Sequence, residues 1–291
     1  MNYQRSIIRS GSFMLVIAYQ CTAFHSLVYS PGIPFGGFLY LCRQRNRIME
    51  VQNVVPDPQT GDTKKSQVRG MFNRIAPRYD LLNHLLSANI DKRWRKICIE
   101  LLRPHHPARI LDVASGTGDL AIAAAVLQPT EIIATDLSEG MLEIAEQKIN
   151  ASGLEKLIHT KLADGENLPF SDGTFDAVTI GFGIRNFGDV QKGITEFYRV
   201  LRPGGVLLIL EFSLPSNRLL RAMYLLYFRN ILPLAGRLIS RDKQAYAYLN
   251  RSVEAFPTND AMIELLKKSG FTNCRVKLLS FGISSIYTAI R

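Results

Sequence analysis

Cysteine is scarce in this chain: four in 291 residues, at positions 21, 42, 98 and 274, with no C-x-x-C pair among them. That spacing argues against a disulfide framework or a zinc ribbon, and the five histidines offer no H-E-x-x-H pair. No metal site is expected, and free thiols fit a reducing compartment. Long apolar runs are missing too, since none reaches the ~20 residues a membrane-spanning helix needs. Acidic residues are absent from residues 1–48, which carry five arginines, so half of the formal net charge of +10 sits there. They are also rare over residues 214–251, where six arginines and Lys243 face Asp242 alone. The residues between those arginines are long aliphatics and tyrosines, which suits a membrane surface or a greasy ligand and argues against a nucleic-acid groove.

Residues 1–48 read as an extension. Their Arg-rich, acid-free character fits a leader, but no A-x-A-like cleavage site follows, so a start at Met49 is the alternative. Residues 49–291 contain no internal repeat or low-complexity linker and are expected to form a single domain.

From Arg109 onward short β-rich runs alternate with helical ones. Ile110–Ala114 precedes a helix over 118–127, Ile132–Asp136 precedes one over 141–150, and Leu157–Ala163 leads through a proline loop to Phe175–Phe182. A helix over 190–201 stops at Arg202-Pro-Gly-Gly205 before the strand Val206–Phe212. Such alternation predicts an α/β fold with a mostly parallel sheet covered on both faces. After a helix over 261–268, strands at 274–279 and 284–290 lie too close for a helix between them, so they form a hairpin and an edge strand is expected to be antiparallel. Seven strands ending this way match the class I methyltransferase (Rossmann-like) architecture. Ahead of the sheet, helical periods run over 64–75 and in one or two helices over 81–102, and this N-terminal helical segment resembles the lid of methyltransferases with that architecture.

The densest motif is Arg109-Ile-Leu-Asp-Val-Ala-Ser-Gly-Thr-Gly-Asp-Leu-Ala121, a strand running through a glycine turn into a helix. Gly116 and Gly118 permit positive φ and let backbone approach a ligand. The turn also satisfies the dinucleotide pattern G-x-G-x-x-A, and the acids decide between the two readings. A pyrophosphate needs a helix N-terminus free of negative charge, whereas Asp112 and Asp119 suit a cationic amine and a sulfonium. Asp136 ends the second strand, placed for the two hydroxyls of a ribose, and Asp164 with Gly165 follows the third, placed for an adenine amino group. Together they read as an S-adenosylmethionine site.

The stretches Phe72-Asn-Arg-Ile-Ala-Pro-Arg-Tyr-Asp-Leu-Leu-Asn-His84, Glu166-Asn-Leu-Pro-Phe170, Gly181-Phe-Gly-Ile-Arg-Asn186, Tyr198–Gly205, Leu210-Glu-Phe-Ser213 and Tyr246–Pro257 carry a resemblance. From about Lys64 the chain resembles the C-methyltransferases of menaquinone and ubiquinone biosynthesis, nearest to the branch acting on the menaquinone precursor. The resemblance implies methyl transfer from S-adenosylmethionine to a ring carbon of a prenylated naphthoquinol. A benzoquinol acceptor, a dinucleotide-dependent oxidoreductase and a scaffold that has lost catalysis are the alternatives. It places cofactor contacts at Thr117, Asp136, Asp164, Gly165 and Gly181, the last often a serine in that family. Arg185, Asn186 and Tyr79 are the candidate catalytic residues, with Asp80 and His84 beside them. A greasy face at Leu219–Ile239 under an arginine rim is expected to grip the prenyl tail, touch a membrane or form a homodimer. The expected location is cytoplasmic, peripheral at the inner membrane face.

Overall fold

The structure, a computed structural model, describes residues 51–87, 89–231, 243–257 and 259–291. Residues 1–50 and 232–242, and the side chain of His84, lie outside the described set. So does part of the expected greasy face.

Two helices precede the sheet, α1 (Lys64–Leu86) and α2 (Ile90–Leu102). Then come β1 (Arg109–Val113), α3 (Asp119–Ala124), β2 (Glu131–Asp136), α4 (Glu139–Ala151), β3 (Ile158–Leu162) and β4 (Phe175–Gly181). A 3₁₀ turn at Ile184–Asn186 leads to α5 (Val190–Val200), β5 (Leu201–Phe212), α6 (Arg218–Leu226), a π turn at Tyr227–Ile231, α7 (Lys243–Ala255) and α8 (Asn259–Lys268). β6 (Thr272–Leu279) and β7 (Ser284–Ile290) end the chain.

The seven strands form one sheet in the order β3-β2-β1-β4-β5-β7-β6. β1 pairs in parallel with both β2 and β4, so the chain reverses its direction of travel across the sheet beside β1. A crevice opens at the carboxyl ends of the strands at such a point. The hairpin is present, but β7, antiparallel to both β5 and β6, lies inside the sheet rather than at its edge. The tight connection Ser280–Gly282 turns the chain back so that β7 takes the free side of β5, leaving β6 outermost with a mostly exposed pattern.

Alternation along each strand divides the core in two. Leu111, Val113, Val178, Ile180, Leu207 and Ile209 pack under α5 and α8, with Ile194, Phe197, Met262 and Leu266. Ile110, Ile132, Ala177, Leu208 and Leu210 face Trp94, Cys98 and Leu102 of α2 together with Ala121 and Ala145. A strand buried on both faces favours an unbroken apolar run, and Val206–Leu210 of β5 is one. β4 is equally buried but carries Asp176 and Thr179, whose side chains are satisfied by the Ala108 and Arg109 amides and by Asp112.

Two local expectations change. The helical periods before and after Pro77 belong to one helix, Lys64–Leu86, because α1 is held along its length by α4: Asn73 Oδ1 accepts from Ser138 Oγ at 2.5 Å, Arg69 pairs with Glu139, and Lys148 reaches Asp80 at 2.6 Å. Tertiary contacts outweigh the single backbone donor that proline lacks. The Arg202–Gly205 stop is real, yet β5 begins at once at Leu201, paired with Phe175, and the irregular register of β4 against β5 lies next to it.

Candidate functional site

Two cavities meet at the carboxyl ends of β1, β2 and β4. The first is a polar cleft lined by Gly116, Asp136, Ser138, Asp164, Gly165 and Gly181, closed from above by Lys65, Arg69 and Phe72 of α1. The second, about 440 Å³, is walled by α1, α2, α6, α7 and the strand ends, with Trp94, Phe182, Phe212, Tyr224 and Tyr248 among its lining. Phe72, Tyr79, Phe182 and Asn186 line both.

The cleft is built chiefly from backbone. Gly116 and Gly118 hold φ of +57° and +82°, and Ala114 takes +48°, a conformation side-chain-bearing residues seldom adopt. Phe182, just past β4, is likewise at +58°. Strain of this kind gathers where a fold commits backbone to a ligand, and neither position is visible in the sequence. Gly165 has no room for a side chain: a Cβ there would lie 2.5 Å from Phe187 Cζ and 2.9 Å from Val113 Cγ1. At Gly181 an added Cβ would meet only Leu120 Cδ2, at 3.4 Å.

Asp136 accepts from the Gly116 amide at 2.8 Å and the Ser138 amide at 2.9 Å, and burial raises its pKa. Each carboxylate oxygen keeps a second lone pair for a ligand hydroxyl. Asp164 accepts from the Glu166 amide at 3.0 Å and pairs with Lys65 at 2.5 Å. Asp112 sits deeper, fully buried, with Ser115 Oγ on one oxygen and Thr179 Oγ1 on the other, both at 2.6 Å. Burial raises it to about 6 against those two donors. Thr117 turns its hydroxyl to Asp80 at 2.5 Å, while Lys148 joins Asp80 and Asp119, and Arg95 of α2 reaches Asp119 at 3.0 Å. Thr117 and Asp119 thus fasten the lid to the turn, through Asp80 and Arg95, while Asp112 is anchored by the turn and by β4.

This arrangement bears on the choice of cofactor. The Gly116 amide is taken by Asp136 and the Gly118 amide by the Ser115 carbonyl, so neither is free for a pyrophosphate. Lys65 and Arg69, the cations on the cleft, are paired with Asp164 and Glu139. Carboxylates for hydroxyl and amino groups, a cradle that a Cβ would fill and both glycine amides of the turn already engaged fit the adenosine of S-adenosylmethionine.

At the second cavity, Arg185 is 5% exposed and lies against Glu211, which is 0% exposed, with Nη1 to Oε1 at 2.8 Å. The guanidinium also donates to the Phe182 carbonyl and lies over the Phe212 ring at 5.4 Å. Its Nε is buried without a partner among the described residues. Burial pushes the Glu211 carboxyl up while Arg185 holds it down. Asn186 Oδ1 accepts from Tyr248 Oη at 3.1 Å. Tyr79 stacks edge-on to Phe72 at 6.0 Å, and burial raises its phenol, keeping it a neutral donor. The structure places Arg185, Asn186 and Tyr79, the candidate catalytic residues of the sequence, on the wall of this one cavity. The sequence reading assigned no role to Glu211, Tyr248 or the aromatic trio Trp94, Phe182 and Phe212, whose rings lie 4.5–6.3 Å apart. One signal was present: Glu211 is a lone acid ending a run of five apolar residues in a buried strand.

The ubiE/COQ5 methyltransferase family model matches residues 60–291. The chain belongs to this family. A demethylmenaquinone methyltransferase of Bacteroides fragilis is 44% identical over 236 residues, covering 80% of this chain and 96% of that protein. One from Thermus thermophilus is 47% identical over 222 residues, covering 76% of this chain and all of its relative. Among solved structures, a SAM-dependent methyltransferase of Thermotoga maritima aligns with a TM-score of 0.54 at 20% identity, over 77% of this chain and 99% of its own, which shows the shared fold.

Proposed function

We propose that the protein methylates a ring carbon of a prenylated naphthoquinol, converting demethylmenaquinol to menaquinol, with S-adenosylmethionine as donor. One observation carries this reading: a cleft suited to adenosine and an apolar cavity of about 440 Å³ share the wall made by Phe72, Tyr79, Phe182 and Asn186. S-adenosylmethionine supplies an electrophilic methyl group on a sulfonium whose charge disappears during transfer, so a dry, apolar meeting zone favours the reaction.

The chain's own groups do the rest. Asp136 holds ribose hydroxyls, and Asp164 with the backbone at Gly165 holds the base. Asp112 and Thr117 serve the turn and the lid. Tyr248 fixes the Asn186 carbonyl oxygen at 3.1 Å, which leaves the Asn186 amide nitrogen to donate to a quinol oxygen. Arg185 presents an unpartnered Nε and a fixed charge that stabilises a phenolate once the hydroxyl proton has passed to water, which raises electron density at the neighbouring ring carbon. The new C–C bond forms as the sulfonium C–S bond breaks, and release of the ring proton to water with reprotonation of the oxygen restores the aromatic quinol. Glu211 holds that guanidinium in place, and Tyr79 aligns the ring.

The tail leaves the cavity past Leu220 and Met223 of α6. Leu219, Met223 and Leu226 are 70%, 60% and 65% exposed, and Arg218 and Arg229 lie close to them in sequence. That combination supports peripheral contact with an anionic lipid surface from the cytoplasmic side. No described helix is long and apolar enough to cross a membrane. Changing Leu219, Met223 and Leu226 to Ser is expected to abolish flotation with anionic liposomes. Unchanged flotation refutes the lipid reading, and a dimer that dissociates in the same variant assigns the face to a second copy.

The functional test is a methylation assay with reduced naphthoquinol and benzoquinol acceptors, read by mass spectrometry. Methylation of the naphthoquinol at the higher kcat/KM is expected. Methylation of benzoquinol alone overturns the acceptor, and NAD binding without S-adenosylmethionine binding overturns the whole reading.

A further inference from the structure

The 3₁₀ turn that carries Arg185 and Asn186 is tied down by a lysine far away in sequence. Lys64, the first residue of α1, is only 7% exposed. Its Nζ donates to the Val51 carbonyl at 2.6 Å and to the Arg185 carbonyl at 3.1 Å. Val51, 0% exposed, packs in the same core cluster as Ile184 and Phe187, on either side of the tied residue. Three segments thus converge on one nitrogen: the chain ahead of the lid, the root of the lid helix and the acceptor-side turn.

The charge is not there for packing. Burial pulls Lys64 down from 10.5 to about 7, with Glu166 drawing it back up and Arg185 pushing it further down. A buried ammonium beside a guanidinium is unfavourable, and an apolar side chain of equal length fills the same space without that burden. What an apolar residue lacks is a donor for both carbonyls. Glu166 supports the same turn from the other side, accepting from the Gly188 amide at 2.7 Å.

We propose that Lys64 is a positioning residue for methyl transfer: by tying the Arg185 carbonyl to the root of α1 and to Val51, it sets how Arg185 and Asn186 enter the apolar cavity and makes lid seating and site assembly one event. Val51 precedes the family match, which begins at residue 60, so the support of the site extends beyond the shared region. The catalytic part of this inference rests on the methyltransferase reading above; the mechanical part does not.

The test uses the full chain with Lys64→Met and Lys64→Gln, the latter keeping a donor without the charge. Hydrogen–deuterium exchange without ligand is expected to show lost protection over 51–55 and 184–188 in Lys64→Met, with β2 and β3 unchanged. S-adenosylmethionine affinity by calorimetry is expected to stay within threefold while kcat falls at least tenfold, and Lys64→Gln is expected to recover part of both kcat and protection. The proposal is overturned by unchanged exchange at 184–188, by kcat within twofold of wild type, by cofactor affinity falling in step with kcat, or by loss of folding in both variants, which assigns Lys64 to structure alone. If the wild type methylates no quinol, the functional reading fails, and the exchange result alone decides the role of Lys64.

Discussion

The two cavities of this site are walled by different means. The cofactor cleft lies mainly within one continuous stretch, Ala114 to Phe187, and its shape comes from backbone: positive φ at Ala114 and Gly116, a missing Cβ at Gly165, and two amides on Asp136. The apolar cavity gathers side chains from α1, α2, α6, α7 and the ends of β4 and β5, and Arg185 on its wall is held by the buried Glu211. A half built from backbone depends on the glycines whose conformation or missing Cβ shapes it, Gly116 and Gly165. A half built from side chains depends on the few groups that are desolvated.

Arg185→Ala tests the second statement with the largest effect. It leaves Glu211 buried and unpaired, which costs about 3–5 kcal/mol of stability. Turnover is expected to fall by at least about 100-fold, as removal of a charge-stabilising donor does. Adding Glu211→Gln is expected to restore most of the melting temperature and none of the turnover, while S-adenosylmethionine affinity stays near wild type throughout. A double variant that regains activity removes Arg185 from the chemistry. Gly165→Ala tests the first statement. The new methyl meets the Phe187 ring at 2.5 Å, and overpacking costs about 1–3 kcal/mol. Cofactor affinity, measured by calorimetry, is expected to weaken by about 10- to 100-fold. Phe187→Leu in the same chain is expected to relieve part of it, and no relief would place the fault in the backbone instead.

The same contrast explains what was legible beforehand. Asp136, Asp164, Gly165 and the glycine turn are readable from local pattern because each follows a strand end. The alternation that buries β4 and β5 on both faces is readable for the same reason. Arg185 and Asn186 were reached through the Gly181–Asn186 resemblance, since nothing local says where a turn after β4 points. Glu211, Tyr248 and Lys64 find their partners 26, 62 and 121 residues away, distances over which periodicity carries no information. Asp112 was read as facing a ligand because it is an acid at the end of a strand beside the glycine turn, and Thr117 because the resemblance places a cofactor contact there. Thr179, Ser115 and Asp80, which claim them, become neighbours only once β4 and the lid are in place. The periods over 64–75 and from 81 onward read as separate helices, and contacts with α4 hold them as one through Pro77.

Lys64 joins the two halves, and its titration gives a smaller effect. Its folded pKa of about 7 lies below the ordinary 10.5, so between those values the unfolded chain binds more protons and this group's contribution to stability rises with pH. Below pH 7 the fold carries the buried charge in full. The unfolding free energy of the wild type minus that of Lys64→Met, from denaturant titrations, is therefore expected to increase from pH 7 to pH 9.5, with a slope of up to about 1.4 kcal/mol per pH unit. A flat difference would mean that the ammonium is solvated and that the tie to the Arg185 carbonyl is loose.

The smallest effect belongs at Gly181, where the resemblance implies that a serine is common. Gly181 ends β4 on the cofactor cleft with φ outside the left-handed region, and its added Cβ meets a single methyl, Leu120 Cδ2, at 3.4 Å. Neither steric nor backbone strain opposes Gly181→Ser, so stability is expected to change by no more than about 0.5 kcal/mol. The new hydroxyl lines the cleft beside Phe182 and Asn186, where it can donate to a ligand, and cofactor affinity is expected to hold or improve by up to about fivefold, one hydrogen bond's worth. A weaker cofactor would show that the backbone at Gly181 needs the closer approach that only glycine permits. The contrast between a glycine-dependent half and a side-chain-dependent half would then extend one residue further along β4, to the edge of the wall the two cavities share.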